Sequence, residues 1–158
     1  MSHPHRLTGE DLPRLHQFWV EHWGGDFMVA RGEIIRPELV EGFVVEDGRE
    51  WVGLITFLVA GEVCEIVTLD SLREGQGIGS TLIGKALGEA RMKKCRRIFL
   101  ITTNDNLRAL GFYQKRGFEL VAVHCGAVNR SRKIEPSIPS VGDNGIPLRD
   151  EIELEMTL

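Results

Sequence analysis

No run of residues in this chain is apolar for the length that a membrane helix needs, so a bilayer-spanning helix is not expected. The opening, Met1-Ser2-His3-Pro4-His5-Arg6, lacks the apolar core of a secretory leader, and no export signal is expected. Cysteine is scarce and odd in number. Cys64, Cys95 and Cys125 are widely spaced and form no C-x-x-C pair, which argues against a disulfide framework. Reduced thiols in a cytoplasmic protein are the natural reading. His3, His5, His16, His22 and His124 show no metal-ligand spacing, so no metal site is expected. Positive charge is also short. The formal net charge is −4, which speaks against a broad nucleic-acid-binding surface. Tyrosine occurs once, at position 113. What the chain does hold is ordinary for a soluble globular protein: 158 residues, 42% apolar and 27% charged. That is enough for one domain with a real core.

Hydropathy patterning predicts the elements. Residues 9–23 read as a helix that Thr8 caps, with Leu12, Leu15, Phe18, Trp19 and Trp23 near a 3.6 period. Residues 24–40 read as a loop holding one short helix. Gly42 to Glu46, Glu50 to Ala60 and Val63 to Leu69 read as three strands of an antiparallel meander, joined at Asp47-Gly48 and Gly61-Glu62. A helix is expected from Gly79 to Lys94, with Ile78, Leu82, Ile83, Ala86, Leu87 and Ala90 as its apolar stripe. Arg97 to Thr103 reads as a buried strand, Ile-Phe-Leu-Ile. Asn104-Asp105-Asn106 opens a further helix that Gly117 ends. Phe118 to His124 and Asp150 to Leu158 read as strands. Between them, residues 125–149 read as a long ordered loop or flap around a short helix, 127–134.

Two segments carry the chemistry. The first is Val67-Thr68-Leu69-Asp70-Ser71-Leu72-Arg73-Glu74-Gly75-Gln76-Gly77-Ile78-Gly79-Ser80-Thr81-Leu82, a strand, a glycine loop and a helix start. Such a loop points backbone N–H groups and a positive helix end at an anion, usually a phosphate. Its plainer reading is a tight turn that needs glycine for conformational reasons. It is not the dinucleotide fingerprint, because Ser80 stands at the third glycine position. It is not a Walker A loop, because no lysine precedes Ser80 or Thr81. The second segment is Asn106-Leu107-Arg108-Ala109-Leu110-Gly111-Phe112-Tyr113-Gln114-Lys115-Arg116-Gly117-Phe118.

Together the two segments resemble the signature motifs of the GNAT acyltransferase superfamily: its pyrophosphate loop, [QR]-x-x-G-x-[GA], and its N-x-x-A-x-x-x-Y-x-x-x-G-F helix. The likeness in element order runs over about residues 5–124. One position departs from it. The family's Arg or Gln falls on Glu74, which is expected to turn to solvent while backbone N–H groups, with Arg73 or the Ser80 and Thr81 hydroxyls, meet the phosphates.

The resemblance implies a single α+β domain over residues 1–158, a mixed and mostly antiparallel central sheet flanked by helices. It implies acetyl-coenzyme A, or a related acyl-coenzyme A, as acyl donor. Val67, Thr68 and Leu69 would pair with the pantetheine arm like an added strand, on a strand splayed from its parallel neighbour. Gly75, Gln76, Gly77, Ile78, Gly79 and Ser80 would hold the pyrophosphate. Asn106 has two readings, a helix cap and a cofactor contact. Tyr113 also has two, a core aromatic and the acid that protonates the leaving thiolate. Glu65 is expected on one strand face with Val63, Val67 and Leu69. There it is the general base or a salt-bridged structural carboxylate, and a base acting through water is the third reading. Trp23, Asp26 and Arg31 lie where the family often builds its acceptor wall, with packing and solvation as the alternative. Cys64 and Cys125 read as small apolar fillers.

The function expected is transfer of an acetyl group from acetyl-coenzyme A to a primary amine, on a small molecule or a protein. The alternatives are a non-catalytic acyl-coenzyme A sensor and a different nucleotide-binding enzyme. A homodimer is expected through an open sheet edge at the C-terminal strand, Ile152 to Leu158.

Overall fold

The computed structural model describes residues 3–158; Met1 and Ser2, where the sequence reading of the N-terminus begins, lie outside it. In chain order the elements are β1 (His5–Arg6), a 3-10 turn (Gly9–Asp11), α1 (Leu12–Trp23), β2 (Met28–Ala30), β3 (Glu33–Ile35) and a 3-10 turn (Pro37–Leu39). Then come β4 (Glu41–Asp47), β5 (Glu50–Ala60), β6 (Val63–Ser71), α2 (Ile78–Met92), β7 (Arg97–Thr103) and α3 (Leu107–Lys115). The chain ends with β8 (Glu119–His124), α4 (Ala127–Ser131), a 3-10 turn (Asp143–Gly145) and β9 (Glu151–Thr157). The architecture is α+β, with helices flanking mostly antiparallel strands. By internal contacts the chain divides into two compact units. One holds the chain up to Met28, Arg36–Ile98 and Leu158; the other holds Val29–Ile35 and Phe99–Thr157.

In the first unit the strand order is β1-β4-β5-β6, and each neighbouring pair is antiparallel. Side chains alternate across a strand, so each residue commits to one of two faces. One face is covered by α1, whose Leu15, Phe18 and Trp19 cluster with Val44, Trp51 and Leu54. Gly24, at φ 81, closes α1 and donates its N–H to the Val20 carbonyl at 3.2 Å. The other face takes α2, which buries Ile78, Leu82, Ile83, Ala86 and Ala90, much as the stripe predicts. Leu87 stays only half-buried, and the carboxylate of Glu89 is buried in its place beside Arg6 at 2.5 Å.

The β5–β6 register carries an irregularity that sequence did not reveal. Thr56 pairs with Thr68 and Phe57 with Ile66, so Val67 is an extra residue in β6. Such a bulge shifts the alternation by one. Residues opposite one another share a face. Glu65 (opposite Leu58), Thr68 (opposite Thr56) and Asp70 (opposite Leu54) therefore share the α1 face. Val67 packs against the α1 cluster as well. Leu69, opposite Ile55, turns to the α2 face, which corrects the expectation that it accompanies Glu65.

In the second unit, which holds β7 from Phe99 onward, β9 lies between β7 and β8 and pairs antiparallel with β8. Ile98, Phe99 and Leu100 of β7 are buried, as the apolar run predicts. The C-terminal strand is therefore not an edge, which overturns the expected basis for self-association. The open edge is β8, where Leu120, Val121 and Val123 are exposed. The 125–149 segment is ordered, as expected, and two side chains organise it. Arg132 donates to the carbonyls of Ile138, Pro139 and Leu148. Buried Asp105 accepts the Asp143 N–H at 2.8 Å. The 24–40 segment differs from its reading as a loop with one short helix. Besides its 3-10 turn it forms the β2–β3 pair, whose three-residue strands are too short to show a period. Arg31 and Gly32, at φ 55 and 73, make its turn. Cys125 is exposed and fills no core; Cys64 is buried as expected.

Gly53 sets how closely α2 approaches β5. A Cβ built there falls 2.3 Å from Ile78 Cγ2 and 3.1 Å from Leu82 Cδ1. The Ile78 methyl sits on its branched Cβ and has little room to move. Gly53→Ala is expected to lower stability by roughly 1–3 kcal/mol in urea unfolding. Gly84→Ala, on the exposed side of α2 with open space around it, is expected to raise stability by about 0.5–1 kcal/mol. Equal effects of the two substitutions would contradict the tight seat at Gly53.

Candidate functional site

The glycine loop follows β6 and opens α2. Gly75 and Gly77 stand at φ +72 and +71, a region that L side chains rarely adopt, and nothing lies within 4 Å of a Cβ built at either. Their lack of side chains keeps that space clear. Gly77 is the N-cap of α2, with no side chain capping the helix. The Thr81 N–H bonds back to the Gly77 carbonyl at 3.0 Å, so the N–H groups of Ile78 and Gly79 precede the first intrahelical bond. Bare N–H groups at a positive helix end, beside a cleared space, suit a phosphate. The loop therefore fits the pyrophosphate of a coenzyme A.

Glu74 is exposed, in keeping with the expectation that it turns to solvent. Arg73 is engaged elsewhere. Its guanidinium hydrogen-bonds Asp47 and lies 3.6 Å from Glu50. That hydrogen bond, and then the charge behind it, holds the Asp47 carboxyl below its ordinary range. Thr81 spends its hydroxyl on the Gly77 carbonyl at 2.9 Å, so it stiffens the loop. Ser80 is exposed at the third helical position, and Gln76 is exposed in the loop.

The α3 segment belongs to the second unit. Asn106 caps α3, accepting the Ala109 N–H on Oδ1 at 3.1 Å. Tyr113 is 7% exposed. Its ring meets Phe112 and Phe118 edge-on, each at 5.4 Å between centroids. Gly117, at φ +94, turns the chain, and the Phe118 N–H bonds to the Tyr113 carbonyl at 3.1 Å. The tyrosine ring thus packs against two aromatic neighbours, and the turn holds its backbone.

On the first unit's α1 face the β6 bulge gathers a polar row. Glu65 is 6% exposed. The hydroxyls of Thr56 and Thr68 share a buried hydrogen bond of 2.6 Å. Next stands Asp70, which the sequence reading passed over. The Trp23 indole N–H reaches both of its carboxylate oxygens, at 3.1 and 3.0 Å. Burial pushes the Asp70 carboxyl up to about 6, against the opposing pull of the Trp23 hydrogen bond and the His22 charge. Asp70 was hidden by its place one residue beyond the strand segment expected to bind cofactor, and because its indole partner is 47 positions away.

The three residues expected at an acceptor wall have different partners. Trp23 is on Asp70. Asp26 is exposed, 3.9 Å from His16 Nδ1. Arg31, in the second unit, donates its backbone N–H to buried Glu151 at 3.3 Å and lies over the Phe99 ring at 5.6 Å. Burial raises the Glu151 carboxyl.

Comparison with known proteins agrees with this geometry. Residues 10–118 match the model of the acetyltransferase (GNAT) family. Two proteins of Bacillus subtilis strain 168, the uncharacterized YdhI and YxbD, are each 44% identical, over 87% of this chain and 87% of theirs. Among solved structures, an IAA acetyltransferase from Bacillus cereus ATCC 14579 superposes at a TM-score of 0.71, 20% identical over 98% of both chains. A Bacillus subtilis acetyltransferase in complex with CoA gives 0.69 at 21% identity, over 99% of this chain and 98% of that one. The likeness to these structures is one of fold. The chain belongs to the acetyltransferase (GNAT) family, and membership makes it an acetyltransferase.

The raised carboxyl of Asp70 has a consequence for stability. Below pH 3.8 both folded and unfolded chains hold this proton. Between 3.8 and about 6 the folded chain holds it and the unfolded chain does not, so stability falls as pH rises through that window. The full span corresponds to roughly 3 kcal/mol, which partial solvent contact reduces to about 1–2 kcal/mol. Asp70→Asn keeps an acceptor for the indole and carries no charge. It is expected to exceed the wild type by that amount in urea unfolding at pH 7 and to match it near pH 4. A difference that does not change with pH would contradict the buried charge.

Proposed function

We propose that this chain transfers an acetyl group from acetyl-coenzyme A to a primary amine, with residues 1–158 acting as one acetyltransferase domain. The observation that carries the reading is the loop opening α2, with glycines at positive φ, cleared space and helix-end N–H groups. The coenzyme supplies a thioester whose carbonyl carbon an amine can attack. Gly75, Gln76, Gly77, Ile78, Gly79 and Ser80 hold its pyrophosphate through the backbone. Val67, Thr68 and Leu69 align its pantetheine arm by strand-like pairing. Asn106 spends Oδ1 on its cap, so its contact with the arm comes from Nδ2.

Tyr113 gives a proton to the departing thiolate. Its ring packing supports this role, because an acid packed against Phe112 and Phe118 loses little freedom on reaction. Proton removal from the acceptor amine falls to Glu65 or to water. The reading is of a cytoplasmic enzyme, in keeping with three free cysteines. No described helix is long and apolar enough to cross a membrane. A homodimer, in this reading, forms through the exposed β8 edge. A monomer mass by light scattering at micromolar concentration removes that part.

Cofactor binding is tested by thermal shift. Acetyl-coenzyme A at millimolar concentration is expected to raise the melting temperature of the wild type. Ser80→Asp places a carboxylate at the helix start, where it favours the helix but repels a pyrophosphate. It is expected to melt like the wild type alone and to show no shift with the coenzyme. A wild type that does not shift would overturn the cofactor assignment.

Tyr113→Phe keeps the ring. Loss of a general acid costs roughly 100–10,000-fold, and a thiolate leaves readily, so a fall in kcat of about 10–100-fold is expected. Stability is expected to change by at most about 1 kcal/mol. Wild-type kcat in the Phe variant, read by free thiol release with an accepted amine, would leave Tyr113 as a packing residue.

A further inference from the structure

Asp70 is poorly satisfied for a largely buried carboxylate. Its two oxygens offer about four acceptor positions. Among the described residues one donor fills them, the uncharged indole N–H of Trp23, shared between both oxygens. No cation of the described residues stands at ion-pair distance from it. Buried carboxylates are ordinarily paired with a cation or several donors, because an unpaired buried charge is costly. The ionisable group of α1 that acts on Asp70 is His22. Its cross-strand partner on β5 is Leu54, which carries no charge, and the same face of β6 offers the carboxylate of Glu65. Trp23 itself is 45% exposed, at the C-terminal end of α1. The pair is therefore a negative group at a partly exposed place, braced by an aromatic ring.

Its place on the strand gives that pair a use. The β6 bulge puts Asp70 on the same face as Thr68, one residue past the segment to which the proposed function assigns the pantetheine arm. We propose that Asp70, held in place by Trp23, receives the ammonium group of the acceptor and takes its proton before acyl transfer, the role otherwise left to Glu65 or water. The inference rests on the acetyltransferase reading above and names its substrate class, a primary amine that arrives as a cation. The step balances simply. An acceptor N–H bond breaks, its proton passes to an Asp70 oxygen, and the electron pair stays on nitrogen. That pair attacks the thioester carbonyl, the C–S bond breaks, and the sulfur takes a proton from its own donor. Burial supports the assignment, because a carboxyl raised to about 6 is charged at neutral pH yet basic enough to accept a proton. Trp23 positions this base. Its ring face and the carboxylate together favour a cation over a neutral amine.

The test uses the full chain and three primary amines as probes: spermidine, tyramine and Nα-acetyl-lysine. With acetyl-coenzyme A and whichever probe is acetylated, kcat/KM is expected to fall on the acid side with a midpoint near 6. Asp70→Asn is expected to lose about 100-fold or more and to lose that acid limb. It is expected to keep its thermal shift with coenzyme A. Trp23→Phe removes a donor that stabilises the charged carboxylate, so the limb is expected to move to higher pH. A merely structural Asp70 would leave turnover and the acid limb of Asp70→Asn as in the wild type, with stability alone changed. A second measurement needs no turnover. The Trp23 indole N–H resonance, assigned by its loss in Trp23→Phe, is expected to titrate near pH 6, with the midpoint moving down when an amine probe binds. An Asn variant with wild-type turnover and an unchanged limb would overturn the proposal. So would an indole signal that no probe perturbs. A wild type that fails to bind coenzyme A at all would instead strike the underlying acetyltransferase reading.

Discussion

The bulge at Val67 is the constraint on which the α1 face of the first unit depends. Side chains on a strand alternate, and a single added residue exchanges the two faces for everything beyond it. Without the extra residue, Glu65 would share its face with Leu69, and Asp70 would lie on the opposite side against α2. With it, Glu65, Thr68 and Asp70 form one row beneath α1. The Trp23 indole, at the end of α1, can then reach Asp70. The two ends of this arrangement are fixed independently. The α1 cluster of Leu15, Phe18 and Trp19 seats the helix, and the Thr56–Thr68 hydroxyl pair ties β5 to β6 just beyond the bulge.

The opposite face answers to a different requirement. Gly53 lets α2 approach β5 closely, and that approach aims the start of α2. The loop before it has no charged side chain turned to the task of anion binding. Arg73 is bound to Asp47, Glu74 is exposed, and Thr81 braces its own backbone. Backbone N–H groups and the helix end are what the loop offers. In the proposed reading such a loop tolerates Glu74 where the family motif has Arg or Gln, because backbone N–H groups, which nearly every residue has, would carry the recognition.

Much of the fold was legible in the sequence, and the failures have common causes. Elements with several periods behaved as read: α1, α2, the meander β4–β5–β6, the β7 strand and the α3 helix with its Asn106 cap and Gly117 stop. The β2–β3 pair was missed because three-residue strands carry no period. The place of β9 was missed because strand order is a matter of long-range pairing, to which an alternating pattern is blind. The bulge was missed for a related reason. The sequence from Val63 to Ser71 reads as regular alternation, and only the partner strand reveals the extra residue. In the candidate site, the turns at Gly75 and Gly77 and the place of Tyr113 in α3 were readable because they depend on local spacing. Asp70 depends on Trp23, far away in sequence, and its significance lies in burial and a missing cation. Neither leaves a local signature.

The central claim is that an acetyl group passes to an amine nitrogen on this protein. The most direct test is to follow the acetyl group itself, with isotopically labelled acetyl-coenzyme A and a panel of amines, by mass spectrometry. The account expects one labelled acetyl group on a primary amine for each coenzyme A released. Coenzyme A released with no labelled amine at any pH between about 6 and 8, the range in which a base of this kind is charged, would contradict it and leave a protein that binds the coenzyme without an acceptor.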